Sequence, residues 1–291
     1  MLSLKDYFKR EDIDELTEAL KANSSITMLE LCGNRIGKEG AEVLAEVLKV
    51  NSSLTKLILS DNRFVDEGTE IFAEALKASS LIVLQIYCNK IRNEEAKVFA
   101  EALKVNYSLT NLNLSSNSIE NKGTEALAEA LKVNSSLTSL NLNWNQIGNE
   151  GIEALAEALK VNSSLNVLDL AHNYIKIEGI KALAEALKVN SSLTMLDLNE
   201  NEIENKEAEA LAEALKVNSS LTALNLYRNR IGKEGAEALA EALKVSSLTI
   251  LYLGGNKIGK EGAISLAEAL KVNSSLTELY LGRNEIGNEG T

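Results

Sequence analysis

An eleven-residue pattern, LxxLxLxxNxI, returns ten times along the chain, with its Asn at positions 34, 62, 89, 117, 145, 173, 201, 229, 256 and 284. The intervals are 28 residues, apart from two of 27. Each short interval has one cause, because Lys77-Ala-Ser-Ser-Leu81 and Lys244-Val-Ser-Ser-Leu248 lack one residue of the usual Lys-Val-Asn-Ser-Ser-Leu. Self-similarity at such a period means small stacked units, none of which can bury its apolar face alone.

Each unit has two halves with different hydrophobic periods. Leu140-Asn-Leu142 alternates with period two and reads as a short strand. Glu153-Ala-Leu155-Ala-Glu-Ala-Leu159-Lys puts Leu155 and Leu159 four apart and reads as a helix, with Glu at its start and Lys at its end to suit the helix dipole. Asn134, Asn162, Asn190 and Asn218 mark the helix exits and are expected to take the left-handed turn there. Strands sit about 4.8 Å apart and helices about 9 Å, so each repeat turns by about 24° and ten repeats curve into a horseshoe. Strands line the concave face and helices the convex one. The recurring pattern Asn is expected to be structural, its amide tying adjacent repeats together.

The pattern is that of a leucine-rich repeat. Its 28-residue length, with a full helix per unit, resembles the ribonuclease-inhibitor-like subfamily, which includes NOD-like receptor repeat regions and Ran GTPase-activating proteins. The resemblance covers residues 8 to 291 and implies an α/β, right-handed solenoid whose relatives bind proteins, many of them by embracing an enzyme. Residues 1–25 read as a degenerate N-terminal capping unit, with Phe8 where Phe64 sits one period on, Leu16 and Leu20 where Phe72 and Leu76 sit, and Lys9, Arg10, Glu11 and Asp12 free to face water. Residues 26–291 read as ten repeats. The pattern stops at Glu289-Gly290-Thr291, so the expectation is either that a C-terminal cap is missing or that the open edge at Leu276, Leu279 and Leu281 is covered by a partner or by self-association with a second copy.

Composition bounds the partners. Thirty Lys and Arg against 42 Asp and Glu give a net charge of −12, which argues against nucleic acid, because phosphate backbones are bound mainly through a basic excess. No apolar run approaches the roughly 18–20 residues of a membrane span, and Met1-Leu2-Ser3-Leu4-Lys5-Asp6 turns charged before a signal-peptide core can form. Two cysteines, Cys32 and Cys88, fit a reducing compartment, so the expected location is cytoplasmic, or the host cytosol for a delivered bacterial effector. The recurrent Asn-Ser-Ser triplet is then a repeated turn rather than a row of glycosylation acceptors.

The helical half is nearly invariant between repeats, whereas diversity concentrates on the strand face. The pattern's third, fifth, seventh, eighth and tenth positions form five columns expected to be exposed. They hold Trp144, Tyr87, Tyr174, Tyr227, Tyr252 and Tyr280, six of the eight Trp and Tyr residues, while Phe8, Phe64, Phe72 and Phe99 fall at core positions. Tyr and Trp on an exposed strand surface suit protein recognition. Charges on these columns are banded: basic in the first three repeats, acidic at Asp169, Asp197, Glu200 and Glu202, basic again at Arg228 and Arg230. Bands of this kind set the register of one protein partner.

Asp169 with Asp197, and His172 with Glu200, form two column pairs about 5 Å apart, the one constellation with chemical potential. It lies on an open surface without a phosphate loop, and Arg228 is placed to pair with Glu200. A solvated, ion-paired patch is expected, with no catalytic residue, cofactor or metal. The chain reads as a non-enzymatic protein-binding module, with Trp144, His172, Tyr174, Asp197, Glu200, Tyr227, Arg228, Tyr252 and Tyr280 as contact residues. Inhibition of a partner enzyme by occlusion is the mechanism the resemblance implies, and a GTPase-activating role is its alternative.

Overall fold

Leucine at the first, fourth and sixth pattern positions has one place to go, and the computed structural model shows it. The model describes residues 2–3, 10–63 and 67–287, with side chains from Glu15 onward. Phe8, Lys9, Phe64 and residues 289–291 lie outside the described residues, as do the side chains of Arg10, Glu11 and Asp12.

The chain divides into two units, Met1–Asn145 and Gln146–Thr291. The first contains β1 (Leu2–Ser3), α1 (Arg10–Ala22), β2 (Met28–Glu30), α2 (Gly37–Val50), β3 (Lys56–Ile58), α3 (Glu67–Leu76), β4 (Val83–Gln85), α4 (Asn93–Leu103), β5 (Asn111–Asn113), α5 (Asn121–Leu131) and β6 (Ser139–Asn141). The second contains α6 (Asn149–Leu159), β7 (Val167–Asp169), α7 (Ile177–Leu187), β8 (Met195–Asp197), α8 (Asn205–Leu215), β9 (Ala223–Asn225), α9 (Lys233–Leu243), β10 (Ile250–Tyr252), α10 (Gly259–Leu270) and β11 (Glu278–Tyr280). Within each unit every strand pairs in parallel with the next in chain order, as an α/β leucine-rich repeat solenoid requires.

Register places repeat on repeat. Leu168, Leu196, Leu224 and Leu251 stand in one column, each at most 1% exposed. Against them pack the helical Leu and Ala, such as Leu183, Ala186, Leu211 and Ala214, also buried. In the first unit the core includes Phe72 and Phe99, fully buried with ring centroids 6.5 Å apart edge to face. Full burial of such side chains contributes about 1.5–3 kcal/mol each.

The polar ladder runs through buried Asn side chains. Asn201 Oδ1 accepts from Asn173 N at 3.1 Å, and its Nδ2 donates to Leu170 O at 3.0 Å and Asn199 O at 3.2 Å. Asn229 does the same one repeat on, and Asn62 and Asn89 do so in the first unit. Each amide thereby links backbone groups of two adjacent repeats and supplies the acceptor for a buried N–H such as Asn173 N.

Two expectations about the helix ends are corrected. The Asn at the helix exit is extended, not left-handed: Asn51 has φ −87° and ψ 114°, and none of the Asn in this column has a positive φ. It forms a second buried ladder. Asn218 Oδ1 accepts from Ser220 N and Leu221 N at 3.1 and 2.8 Å, while Nδ2 donates to Leu187 O and Asn190 O at 2.7 and 3.0 Å. The side chain can thus close its own turn and reach the preceding repeat, which left-handed backbone geometry would not supply.

The helices also begin one turn earlier than the Leu spacing indicates, at Asn149 rather than Glu153. The first turn carries no apolar period because it holds a glycine: a Cβ on Gly123 would lie 3.0 Å from Ala96 Cβ of the preceding helix. Capping there comes from the previous repeat. Asn149 Oδ1 accepts from Lys176 N and Gly179 N at the start of α7, and Asn205 does the same for Gly232 N and Gly235 N of α9. Before α8 that position is Ile177, which cannot cap, and here Glu207 replaces the glycine and accepts from Glu204 N in a capping box.

Candidate functional site

The fifth-position column of the second unit reads Asp169, Asp197, Asn225, Tyr252 and Tyr280 across five paired strands. Acid lies at one side and aromatics at the other, with Asn225 bridging: its Nδ2 donates to Asp197 Oδ2 at 2.8 Å. Burial pushes the Asp197 carboxyl up, only partly offset by donation from Asn199 N and Asn225. Tyr252 and Tyr280 stack with centroids 4.5 Å apart and planes 12° from parallel. Tyr280 Oη donates to Glu278 Oε2 at 2.6 Å, and this hydrogen bond is the main reason its hydroxyl is pushed up to about 12.

The eighth-position column carries the ionic centre. Glu200 takes His172 Nε2 at 2.7 Å on one oxygen and Arg228 Nη1 at 2.8 Å on the other. That hydrogen bond is the first cause holding Arg228 further above its ordinary value. The guanidinium lies 5.4 Å from the Tyr227 ring centroid, a cation–π contact. His172, Glu200 and Arg228 have φ of 51°, 54° and 51°. This left-handed region is unfavourable for residues with a Cβ, so the repeat imposes the conformation on whatever side chain the position holds. Two positions further on, in the tenth-position column, Arg230 Nη2 donates to Glu202 Oε1 at 2.5 Å.

Glycines shape the neighbouring strand. A Cβ on Gly254 would lie 2.9 Å from the Tyr227 ring, and one on Gly255 would lie 2.9 Å from Arg228 Cγ. Gly254-Gly255 is therefore the floor on which Tyr227 and Arg228 rest. The sequence carries this signal as the one glycine pair at positions where most repeats carry side chains.

Of the residues singled out from the sequence, His172, Asp197, Glu200, Tyr227, Arg228, Tyr252 and Tyr280 cluster on this face. Tyr174 stands at its margin, 67% exposed. Trp144, 56% exposed, belongs to the first unit. The expectation of five open columns is corrected. The seventh position is half-buried or buried in all repeats but the last, with Ser60, Ser115 and Ala171 at 2%, 8% and 4% exposure. Tyr227 and Tyr252 are likewise half-buried, held by the glycine floor and by the stack. A row the pattern did not flag, Val161, Val189, Val217, Val245 and Val272, is exposed at the helix exits, away from the strand face.

Chemically the face offers recognition. Arg228 is paired with Glu200 and Arg230 with Glu202, and an open groove of about 500 Å³ is lined in part by Glu204, Glu207, Arg230 and Lys257. Among the described residues no group of three or more His, Cys, Asp and Glu is arranged to hold a metal, and no helix is long and apolar enough to cross a membrane.

Among solved structures the chain is similar to that in a TLR13–ssRNA13 complex (TM-score 0.57, 18% identity, 94% of this chain), of which it spans 34%. It is similar also to a chain of the Rad7 and Elc1 complex in yeast (TM-score 0.50, 18% identity, 94% of this chain and 77% of that one). A leiomodin-1 actin-binding site 2 structure aligns over 49% of this chain and 84% of its own at 27% identity, with a TM-score of 0.42. No curated protein matches the chain. The Leucine Rich repeat model matches nine segments, 22–45, 50–70, 105–128, 133–156, 161–184, 189–212, 217–240, 246–267 and 272–290, passing over the repeat around Asn89 that forms β4 and α4. With strand, helix and Asn ladder recurring as that model requires over most of its length, this chain belongs to the leucine-rich repeat family.

Proposed function

We propose that the strand face of the second unit binds a folded protein partner, with Tyr227, Tyr252 and Tyr280 as anchors and the His172–Glu200–Arg228 cluster setting orientation. One observation carries this reading: the aromatic and ionic side chains are already immobilised, Tyr227 on its glycine floor and Tyr252 on Tyr280, before any partner arrives. Preorganised Tyr and Arg bind at low entropic cost and are the residue types that dominate interface energetics. Tyr174 extends the contact residues on this reading, and Trp144 is a proposed contact residue of the first unit by itself. The acidic composition supports a protein partner over RNA.

The 28-residue repeat with its 11-residue helix supports membership of the ribonuclease-inhibitor-like subfamily, with residues 1–25 as a capping unit and 26–291 as ten repeats. On that basis the mechanism is inhibition of a partner enzyme by covering its active site. The nearly self-identical array supports action as a bacterial protein delivered to a host cytosol. A GTPase-activating role is the alternative; on the second unit's strand face Arg228 and Arg230 are tied to Glu200 and Glu202 rather than free to reach a nucleotide's phosphates.

The test is capture of partners by the wild-type chain and by a Tyr252→Ala/Tyr280→Ala variant whose fold is checked by circular dichroism. A protein retained only by the wild type, and inhibited in proportion to complex formed, is the expected result. Identical capture by both forms would remove the strand face of the second unit from consideration.

A further inference from the structure

Arg35, Arg63 and Lys90 follow the ladder Asn on three consecutive repeats of the first unit and so share one column. The strands beneath them pair in register, Leu29↔Leu57↔Leu84, which puts neighbouring members of the column about 5 Å apart. The same column of the second unit shows what that spacing allows: Glu202 and Arg230, on consecutive repeats, form an ion pair. In the first unit all three positions are cationic and exposed, with φ of 51°, 54° and 64°.

Nothing among the described residues neutralises the last two. Lys38 is held by Glu67, and Asp61, one column away, is paired with neither Arg63 nor Lys90. Like charges on adjacent strands are destabilising, and a carboxylate arriving between two of them converts that repulsion into two attractive contacts.

We infer that the Arg63–Lys90 pair, with Arg35 beside it, is a docking site for an acidic segment of a protein partner. The inference rests on the reading of strand-face side chains as contact residues and concerns the first unit by itself. Carboxylates recur about 6–7 Å apart at alternate residues of an extended segment, and about 5–6 Å apart at three- or four-residue spacing on a helix, so either matches the row. Nucleic acid fits less well. Three cations fall short of the roughly 6–10 phosphate contacts of tight binders, and the rest of the molecule is acidic.

The test uses fluorescein-labelled hexaglutamate, hexaglutamine and a thymidine hexanucleotide as probes, with fluorescence anisotropy at low and moderate salt. Arg63→Gln/Lys90→Gln is compared with Lys104→Gln/Lys132→Gln, which removes the same charge from two lysines already paired with Glu101 and Glu129. The expected result is salt-sensitive hexaglutamate binding, weakened at least tenfold in the first variant and less than twofold in the second. Equal weakening in both variants, absence of hexaglutamate binding by the wild type, equal binding of hexaglutamine, or tighter binding of the oligonucleotide would each overturn it. These substitutions lie in the first unit and the tyrosine substitutions in the second, so either reading can fail without the other.

Discussion

The Tyr227 ring lies against Gly254 so closely that a Cβ there would sit 2.9 Å from the ring and 3.1 Å from Gly282 O. Gly254→Ala should therefore lift Tyr227 off its floor and cost about 1–3 kcal/mol through overpacking. Tyrosine fluorescence and a thermal melt would register both effects. Gly282→Ala, where nothing lies within 4 Å, serves as the neutral comparison.

Removing one rung of the Asn ladder should cost more than any surface change. Asn201→Ala leaves Asn173 N buried without its acceptor, while Leu170 O keeps only the donation from Asn173 Nδ2, and is expected to lose about 1–3 kcal/mol in urea unfolding. Asn201→Asp should recover only part of this, since a carboxylate accepts but cannot donate to Leu170 O.

The caps between repeats predict an asymmetry between helices. Asn149→Ala removes the acceptor for Lys176 N and Gly179 N and should fray the start of α7, costing about 1 kcal/mol. Ile177→Ala should leave the start of α8 intact, because Glu207 caps it from within. Amide hydrogen exchange at the first turns of α7 and α8 separates the two outcomes.

Asp197 supplies a pH signature. Its folded-state pKa is raised above the unfolded value by burial, so the native state holds the proton more tightly. The contribution to stability is complete below the ordinary aspartate range and is lost as pH rises through the raised value. Asp197→Asn should flatten that part of the stability profile and raise the neutral-pH melting temperature relative to wild type. An unchanged slope would show that Asp197 is not its source.

How much of this was legible beforehand depends on whether the cause was periodic. Alternating Leu140 and Leu142, and Leu155 with Leu159, announce strand and helix because solvent exclusion acts identically in every repeat, and the Asn at 34, 62, 89 and onward announces the ladder for the same reason. The departures were harder to read. Glu207 looks like one more surface acid until Ile177 is seen to leave α8 without a cap, and the Asn of Asn-Ser-Ser looks like a turn residue until its Nδ2 is found on the preceding repeat's carbonyls.

Repeat length, order of strand and helix, and the identity of the buried columns follow from the one-dimensional pattern, since hydrophobic period and turn chemistry are local in the chain. Which side chains of the strand face meet was decided only by packing at 27- and 28-residue separations. The joining of His172, Glu200 and Arg228, the resting of Tyr227 on Gly254, and the contrast between paired Glu202–Arg230 and the cationic Arg63–Lys90 depend on lateral neighbours within a few ångströms. That distance is set by the spacing of parallel strands and by rotamers that the linear pattern does not specify.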